Sequence, residues 1–275
     1  MATTPGNGPE TTPAQLPIPN RKIERQNRAL KLLDQYRNSS PDDTVTRDRI
    51  KDLFETMFEQ AEQTDPDTEF YNKKGLAAEL PRLMDLATRS GKPLSIIFLD
   101  GYKLKRVNEQ INYDAGTQVI LTMANAIKGV TRKSDVQARI NPEDIDLEST
   151  AEEDVATRPG GDEFVVILFG SDQFQAAEVI QRIQRKIAEI APGEIPFYQN
   201  TFGEDFTVRA GLVQYNPAID KDHTQFLRRA DEALNAAKKE PKPGTICVSN
   251  YNPNSGTNEI TVLEGLQIQF SGLEP

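Results

Sequence analysis

Apolar residues recur at two different spacings along this chain, and the two spacings alternate. Helical spacing predicts amphipathic helices at residues 75–90, 107–127, 174–190 and 225–239. Short apolar runs typical of buried strands separate them, at residues 94–99, 136–140, 164–169, 206–215 and 245–249. This alternation predicts an α/β (α+β) fold: a mainly antiparallel sheet of about five strands flanked by helices, with the β-α-β-β-α-β core of ferredoxin-like folds.

The residues before this pattern have a different character. Residues 1–20 are rich in Pro, Thr, Gly and Asn and carry almost no charged or large apolar side chains. Such a segment buries too little surface to offset its ordering entropy, so we expect a disordered tail. Residues 21–37 and 46–63 show helical spacing, which predicts a helical extension over residues 21–64.

A second extension, residues 250–275, follows the last predicted strand. Its apolar residues alternate with polar ones and predict one or two short strands joined near Glu264–Gly265. Two partners are open for these strands: an edge of the same sheet, or another chain. The alternating residues are Ile260, Val262, Leu266, Ile268 and Phe270.

The composition excludes several classes of function. The 275 residues carry a formal net charge of -10 and a sequence pI of about 4.8, which argues against a nucleic-acid-binding surface. No apolar run approaches the roughly 20 residues that span a bilayer, and the N-terminus lacks the pattern of a secretion signal. The single cysteine, Cys247, rules out a disulfide framework and fits a reducing compartment, so we expect a cytoplasmic protein without a membrane span.

Residues 158–168 read Arg-Pro-Gly-Gly-Asp-Glu-Phe-Val-Val-Ile-Leu and hold the main candidate chemistry. Gly160 and Gly161 can close a tight hairpin and let a phosphate approach the backbone. Strand alternation points Asp162 and Glu163 to opposite sides, so they are expected to do different jobs. A glycine turn beside a carboxylate can seat a hard cation with its phosphates, although the same letters also suit a surface hairpin with solvated acids. Asp100, at the end of the apolar run 94–99, suggests a second ligand.

This stretch resembles the signature of the GGDEF family, the bacterial diguanylate cyclases, and the resemblance covers roughly residues 65–248. Residues 65–72 resemble the motif that opens that domain, residues 94–100 its first strand with a metal-binding aspartate, and residues 227–238 its last helix. The resemblance implies a nucleotide-cyclase-type domain at residues 65–249. It also implies a homodimer in which each subunit holds one GTP, and two divalent ions, Mg²⁺ or Mn²⁺, that assist the joining of two GTP molecules into cyclic di-GMP.

The resemblance also implies roles for individual residues. The metal ligands would be Asp100, Asp162 and the carbonyl of Gly101, with Glu163 as a second ligand or a proton acceptor. Asn108 would read the guanine edge, and the remaining substrate contacts would come from Lys105, Lys238, Lys242, Thr117, Gly160, Gly161 and Arg158.

Three departures from the family pattern affect this site. Tyr102 replaces a second aspartate of the first-strand motif. Thr117 replaces an aspartate that accepts from guanine N1 and N2, a loss worth roughly 1 to 3 kcal/mol of discrimination. The position is small and polar in the branch that makes mixed GMP-AMP products, so relaxed base selectivity is expected. Lys242, between two prolines, replaces an arginine and gives up its bidentate fork.

A further departure lies just before the signature. Arg132 and Asp135 resemble the product-inhibition motif of the family, but an insertion at residues 141–157 separates them from the glycines. Seven carboxylates lie between Glu143 and Asp154, without a basic residue. Such a block predicts a flexible, solvated extension of the hairpin, or a segment that folds over the site and repels triphosphate.

Two functions from different classes therefore remain open. The chain is either a diguanylate cyclase-like enzyme, or a degenerate GGDEF domain that senses nucleotide or serves as a regulatory or scaffolding subunit. The intact signature favours the enzyme. Thr117, Tyr102, the acidic insertion and the expected lack of an upstream sensor domain favour the second function, with a protein partner bound through the terminal extensions.

Overall fold

A computed structural model describes residues 21–40, 43–101, 104–131, 154–195, 198–202 and 206–263. The helices of this part of the chain are α1 Arg21–Asn38, α2 Thr44–Gln63, α3 Lys73–Ser90, α4 Leu104–Gln110, α5 Tyr113–Val130, α6 Gln173–Glu194, α7 Tyr198–Thr201 and α8 His223–Lys239. Its strands are β1 Leu94–Gly101, β2 Val155–Gly160, β3 Glu163–Phe169, β4 Val208–Gln214, β5 Ile246–Asn252 and β6 Thr257–Val262. None of the described helices is both long and apolar enough to cross a bilayer.

The chain divides into two compact units, residues 1–59 and 60–275. In the first unit, α1 and the start of α2 lie where helical spacing predicts them. The guanidinium of Arg47 lies 4.1 Å from the ring centroid of Tyr36, a cation–π contact between these two helices.

The second unit is built on one sheet with the strand order β2-β3-β1-β4-β5-β6. Neighbouring strands are antiparallel except β4 and β5, which are parallel. The first four strands, with α4–α5 and α6 between them, form the predicted β-α-β-β-α-β core. The expectation of a mainly antiparallel α+β fold is therefore confirmed, with six strands where about five were expected.

Residues of β1 alternate between two apolar layers, one on each face of the sheet. Ile97 and Leu99 pack in the cluster that includes α5 and α6. Leu94 and Ile96 pack in the cluster that includes α3 and α8. This alternation fixes which face each charged residue at the end of a strand can reach.

The hairpin of the signature differs from the sequence prediction in its first strand. Residues 136–140 were expected to fill that place, but β2 does, and its Val155 and Thr157 pair with Ile167 and Val165 of β3. Both residues are buried, which explains why residues 155–157 belong to the sheet and not to the predicted insertion. Residues 132–153, which include Arg132, Asp135 and most of the acidic stretch, lie outside the described residues.

Two other boundaries differ from the prediction. The helix expected at residues 107–127 is two helices, because the side chain of Asn112 accepts from the N–H of Ala115 at 2.8 Å and starts α5 anew. The C-terminal strand pairs with β5 of the same sheet, as one of the two alternatives had it. Its turn lies at residues 253–256, where Gly256 has a φ of 68°; the predicted junction at 264–265 falls outside the described residues.

Candidate active site

Three charged residues form a row across the end of the sheet. In the antiparallel register, Asp100 of β1 lies opposite Glu163 of β3 on one side and opposite Arg209 of β4 on the other. Directly opposite residues point to the same face of a sheet. Asp100 shares its face with Leu94 and Ile96, so all three charged residues face the layer that contains α8.

The signature glycines form the turn that ends this row. Gly160 pairs with Glu163, so Gly161 and Asp162 are the two loop residues. Gly161 has a φ of 60°, a conformation that favours glycine, and a Cβ at Gly160 or Gly161 would meet nothing within 4 Å. The carbonyl of Asp162 accepts from the N–H of Gly101 at 3.3 Å and ties the turn to the end of β1. The turn is therefore held in place and open to an approaching group.

Lys238, in the last turn of α8, reaches two of the carboxylates. Its Nζ lies 2.7 Å from Oδ1 of Asp100 and 3.2 Å from Oε1 of Glu163. Burial alone would lower the pKa of Lys238, but the hydrogen bonds and charges of Asp100 and Glu163 outweigh burial and raise that pKa. The structure thus brings together three residues that the sequence analysis selected separately.

The pKa of the Asp162 carboxyl is raised above its usual value. Burial is the main cause that raises its pKa, and the negative charge of Asp100 adds to it. Glu163 contributes a smaller increase, while a backbone hydrogen bond and the charge of Lys238 act in the opposite direction. A partly buried carboxyl group whose pKa is raised by burial and by a neighbouring negative charge is stabilised as the anion by a bound cation.

The donor set fits a hard divalent ion that arrives with a nucleotide. Within the described ranges, no three acidic, histidine or cysteine side chains converge on one point as a ready-made metal cluster. Mg²⁺ commonly takes one or two carboxylates and completes its shell with substrate phosphates and water. Asp100 and Asp162 supply such a pair, and the backbone at Gly101 packs closely beside it, since a Cβ there would lie 2.8 Å from Sδ of Met123.

Asn108 lies against the start of α5. A Cβ on Gly116 would lie 2.8 Å from Cγ of Asn108 and closer still to its Oδ1, so only glycine leaves room for this amide. Thr117, the next residue, is exposed and donates its hydroxyl to the carbonyl of Tyr113 at 3.0 Å. The residues expected to read the base are thus neighbours at one helix end.

Two predicted phosphate-binding lysines lie at the surface. The side chain of Lys105 is 89% exposed, and its Nζ lies 3.7 Å from Oε1 of Glu109 on the same helix. Lys242 is exposed, and its carbonyl accepts from the hydroxyl of Thr245 at 2.7 Å. Neither contact joins these lysines to the carboxylates that Lys238 reaches. Tyr102 lies outside the described residues.

Arg158 has a different environment from the one expected of a substrate contact. Its Nη1 lies 3.0 Å from Oδ1 of Asp65 and 3.2 Å from Oδ2 of Asp67, and its Nε donates to the carbonyl of Gly161. The side chain is only 10% exposed. Burial would raise the pKa of Asp65, but hydrogen bonds from Thr68 and Arg158 lower it overall. This geometry favours a structural role for Arg158, which connects the glycine turn at Gly161 to Asp65 and Asp67.

Sequence reasoning missed Arg209, although a signal for it was present. An arginine within the apolar run 206–215 puts a charge in a buried strand, where it needs partners. In the structure its Nη1 and Nη2 donate to the carbonyls of Lys238 and Glu240 at the end of α8, at 3.3 and 3.0 Å.

The fold and the site define a ferredoxin-like α+β domain with an acidic, lysine-bridged end suited to nucleotide phosphates. The family model described as "Diguanylate cyclase, GGDEF domain" matches residues 62–147 and 147–243. The chain therefore belongs to the GGDEF domain family. The two matched segments meet at residue 147, within the acidic stretch before the signature.

Curated relatives carry the corresponding names. The chain is 33% identical to the probable diguanylate cyclase DgcJ of Escherichia coli K12 over 129 residues, which cover 47% of this chain and 22% of DgcJ. It is 24% identical to diguanylate cyclase DosC of the same strain over 223 residues, 80% of this chain and 42% of DosC. A diguanylate cyclase of Vibrio cholerae is 26% identical over 69% of this chain and 50% of its own length. The chain thus spans half or less of the length of these relatives.

Solved structures share the fold. The coiled coil and GGDEF domain of DgcB from Caulobacter crescentus, in complex with c-di-GMP, matches with a TM-score of 0.57 and 22% identity, over 75% of this chain and 95% of that one. Diguanylate cyclase SiaD of Pseudomonas aeruginosa, in complex with its activator SiaC, matches with a TM-score of 0.53 and 21% identity, over 81% and 72%.

Proposed function

We propose that this chain is a diguanylate cyclase that joins two GTP molecules into cyclic di-GMP. In each of two equivalent steps, the 3′-oxygen of one GTP forms a bond to the α-phosphorus of the other. The bond from that phosphorus to pyrophosphate breaks, and the hydroxyl proton is released. The observation that carries the proposal is the position of Lys238, whose Nζ lies between Asp100 and Glu163 beside the open glycine turn.

The residues of the site have separable tasks in this reaction. Asp100, Asp162 and the Gly101 carbonyl would hold a divalent ion such as Mg²⁺, which when bound neutralises phosphate charge and favours ionisation of the attacking hydroxyl. Lys238 offers a positive charge to the triphosphate, and its exchange from carboxylate to phosphate keeps the ammonium paired throughout. Glu163, whose side chain is 46% exposed, would accept the hydroxyl proton.

Base choice is set at the start of α5. The Thr117 hydroxyl donates its only hydrogen bond to the carbonyl of Tyr113. Toward a ligand, its oxygen can therefore act only as a hydrogen-bond acceptor. One neutral oxygen can accept a hydrogen bond from the N1–H or N2–H of guanine, but it can also accept one from the N6–H of adenine. We therefore propose that the site prefers GTP through Asn108 and accepts ATP more readily than a site with a carboxylate at this position.

The reaction needs two copies of the chain, since each site holds one GTP and two nucleotides must face each other. We propose a homodimer. The first unit exposes apolar side chains on α1, with Leu30 57% and Leu33 38% exposed, and such residues gain from contact with a second helix. Light scattering on the purified chain should give twice the monomer mass, and Leu30→Glu combined with Leu33→Glu should lower both that mass and the rate per chain.

Product analysis tests the proposed reaction. The purified chain is incubated with Mg²⁺ or Mn²⁺ and GTP, ATP or both, and the products are separated by ion-exchange chromatography. We expect cyclic di-GMP from GTP, a mixed cyclic dinucleotide in the combined reaction, and no product from the Asp162→Ala variant. Asp85→Ala, which removes an exposed acid from α3, should retain the wild-type rate.

Two results would overturn the assignment of an active enzyme. An Asp162→Ala variant with the wild-type rate would refute the site. A wild-type chain without product, whose melting temperature still rises with GTP and Mg²⁺, would indicate the degenerate, nucleotide-sensing domain instead. The shift is measurable, since ligand at 100 times its Kd stabilises the folded state by about 2.7 kcal/mol.

A further inference from the structure

Arg209 is a charged residue on an inner strand of the sheet, next to the proposed site. It lies directly opposite Asp100 in the register of β4 and β1. Its guanidinium contacts the end of α8, where Nη1 donates to the carbonyl of Lys238 at 3.3 Å and Nη2 to the carbonyl of Glu240 at 3.0 Å. Arg209 is partly buried, and a partly buried arginine is costly unless such partners are present.

The end of α8 needs these donors. The last carbonyls of a helix have no partner within the helix. Many helices end in a left-handed glycine that satisfies them, but α8 ends at Glu240 with φ -71° and ψ 139°, an extended conformation. Arg209 therefore supplies from the sheet the donors that the helix terminus lacks, and its positive charge lies at the favourable end of the helix dipole.

Lys238 links Arg209 to the site, because Arg209 binds its backbone carbonyl while its side chain provides the ammonium group of the site. Lys238 accepts from Arg209 at its carbonyl, and its Nζ contacts Asp100, the strand neighbour of Arg209, at 2.7 Å. The three residues thus close a ring that links β1, β4 and the end of α8. A loss of Arg209 would release the last turn of α8 and with it the anchor of the lysine side chain.

We infer that Arg209 is a positioning residue for the cyclase reaction: it holds the last turn of α8 so that the Lys238 ammonium lies at Asp100 and Glu163. This inference rests on the proposed function. The planar fork of arginine is needed because the two carbonyls lie two residues apart, and one ammonium group cannot replace both directed donors.

The test compares four variants with the wild type: Arg209→Met, Arg209→Lys, Lys238→Met and the double variant Arg209→Met/Lys238→Met. Arg228→Met serves as the matched control, since Arg228 lies on α8 with a 69% exposed side chain. We expect Arg209→Met to lower kcat/KM for GTP about tenfold or more, mainly through KM, and Arg209→Lys to recover part of the loss. Arg228→Met should retain the wild-type values.

The double variant separates positioning from direct contact. If Arg209 acts through Lys238, its removal in the Lys238→Met background should change kcat/KM by less than about twofold, because coupled residues are not additive. The same fold-loss in both backgrounds would overturn the inference, since Arg209 would then contact substrate or act by another route. A wild-type KM in Arg209→Met would overturn it as well.

Amide hydrogen exchange without nucleotide tests the structural half independently of catalysis. Arg209→Met should speed exchange in the last turn of α8, residues 237–240, and leave the amides of β5 protected. Unchanged exchange there would overturn the inference even in an active enzyme. Faster exchange in a chain whose wild type forms no product would instead support the hold of Arg209 on α8 and refute the proposed function.

Discussion

A single methyl group at Gly116 should separate recognition of the base from stability of the fold. In α5, Gly116→Ala would place a Cβ 2.8 Å from Cγ of Asn108, and closer to its Oδ1. Carbon atoms prefer about 3.5–4.0 Å, so the Cγ contact alone requires a shift of about 0.7 Å or more, and the closer Oδ1 requires a larger one. Because the obstacle is the end of a side chain and not backbone, the domain should still fold.

The magnitude follows from two opposing terms. Alanine in a helix is favoured over glycine by roughly 0.5–1 kcal/mol, which alone would raise the melting temperature. Displacement of Asn108 removes a hydrogen bond worth about 0.5–1.5 kcal/mol from the bound base, or roughly a 2- to 13-fold loss of kcat/KM for GTP. In the free protein the displaced amide packs less well, and this cost offsets the helix gain. We therefore expect roughly a 2- to 13-fold loss of kcat/KM and little change in melting temperature.

The assay measures pyrophosphate release at varied GTP and thermal unfolding in the same buffer. Gly129→Ala is the matched control, because it lies in the same helix and its Cβ would meet only Cε of Lys186 at 3.9 Å. It should keep kcat/KM. In an Asn108→Ala background the obstacle is gone, so Gly116→Ala should cost no further activity and should raise the melting temperature. Wild-type kcat/KM in Gly116→Ala, or an equal loss in both backgrounds, would refute the reasoning.

Two further predictions concern stability. Burial and the charge of Asp100 raise the pKa of Asp162 above the usual 3.8. The folded chain therefore binds this proton more tightly than the unfolded chain does. As a result, the free energy of unfolding falls as pH rises from the unfolded pKa through the raised pKa. Asp162→Asn should therefore melt higher than wild type at pH 7 in EDTA, with the gain disappearing toward pH 3.5; an equal or lower melting temperature at pH 7 would contradict the sign. Gly211→Ala would place a Cβ 2.5 Å from the carbonyl oxygen of Ala230 in α8. Because backbone atoms cannot move away easily, the free energy of unfolding should fall by about 1–3 kcal/mol. Gly193→Ala, with nothing within 4 Å, is its control, and equal melting temperatures for the two would argue against the close approach.

The elements that bury a continuous apolar surface were predictable from the sequence. The continuous apolar run at 94–99 became β1 because both faces of this strand are buried, and the helical spacing at 225–239 became α8 because one face of this helix is buried. The first strand of the hairpin was not predictable in the same way. Val155 and Thr157 alternate over too short a run to stand out beside an acidic stretch, and their place is set by pairing with β3.

The site shows the same division between local and tertiary information. Asp100, Asp162 and Glu163 could be selected by position in a strand or turn. Lys238 contacts Asp100 and Glu163 because α8 packs on β4. The sequence gives one sign of this packing, Gly211, where a Cβ would collide with the backbone of α8. The contacts of Arg158 could not be predicted for the same reason, since its partners Asp65 and Asp67 lie more than 90 residues away in the chain.

The ammonium group of Lys238 is paired with Asp100 and Glu163, and a substrate phosphate could replace these carboxylates as its partner. Lys238 is 31% exposed and Asp100 17%, so their ion pair is neither fully solvated nor fully buried. Partly exposed pairs contribute little net stability, whereas a fully buried pair would be costly to separate. The lysine can therefore leave the carboxylate for a phosphate at low cost, provided that its backbone stays in place. In the proposed reaction Lys238 changes its ion partner in each turnover, which requires a loosely paired ammonium on a firmly held helix end. By our inference, Arg209 holds that helix end.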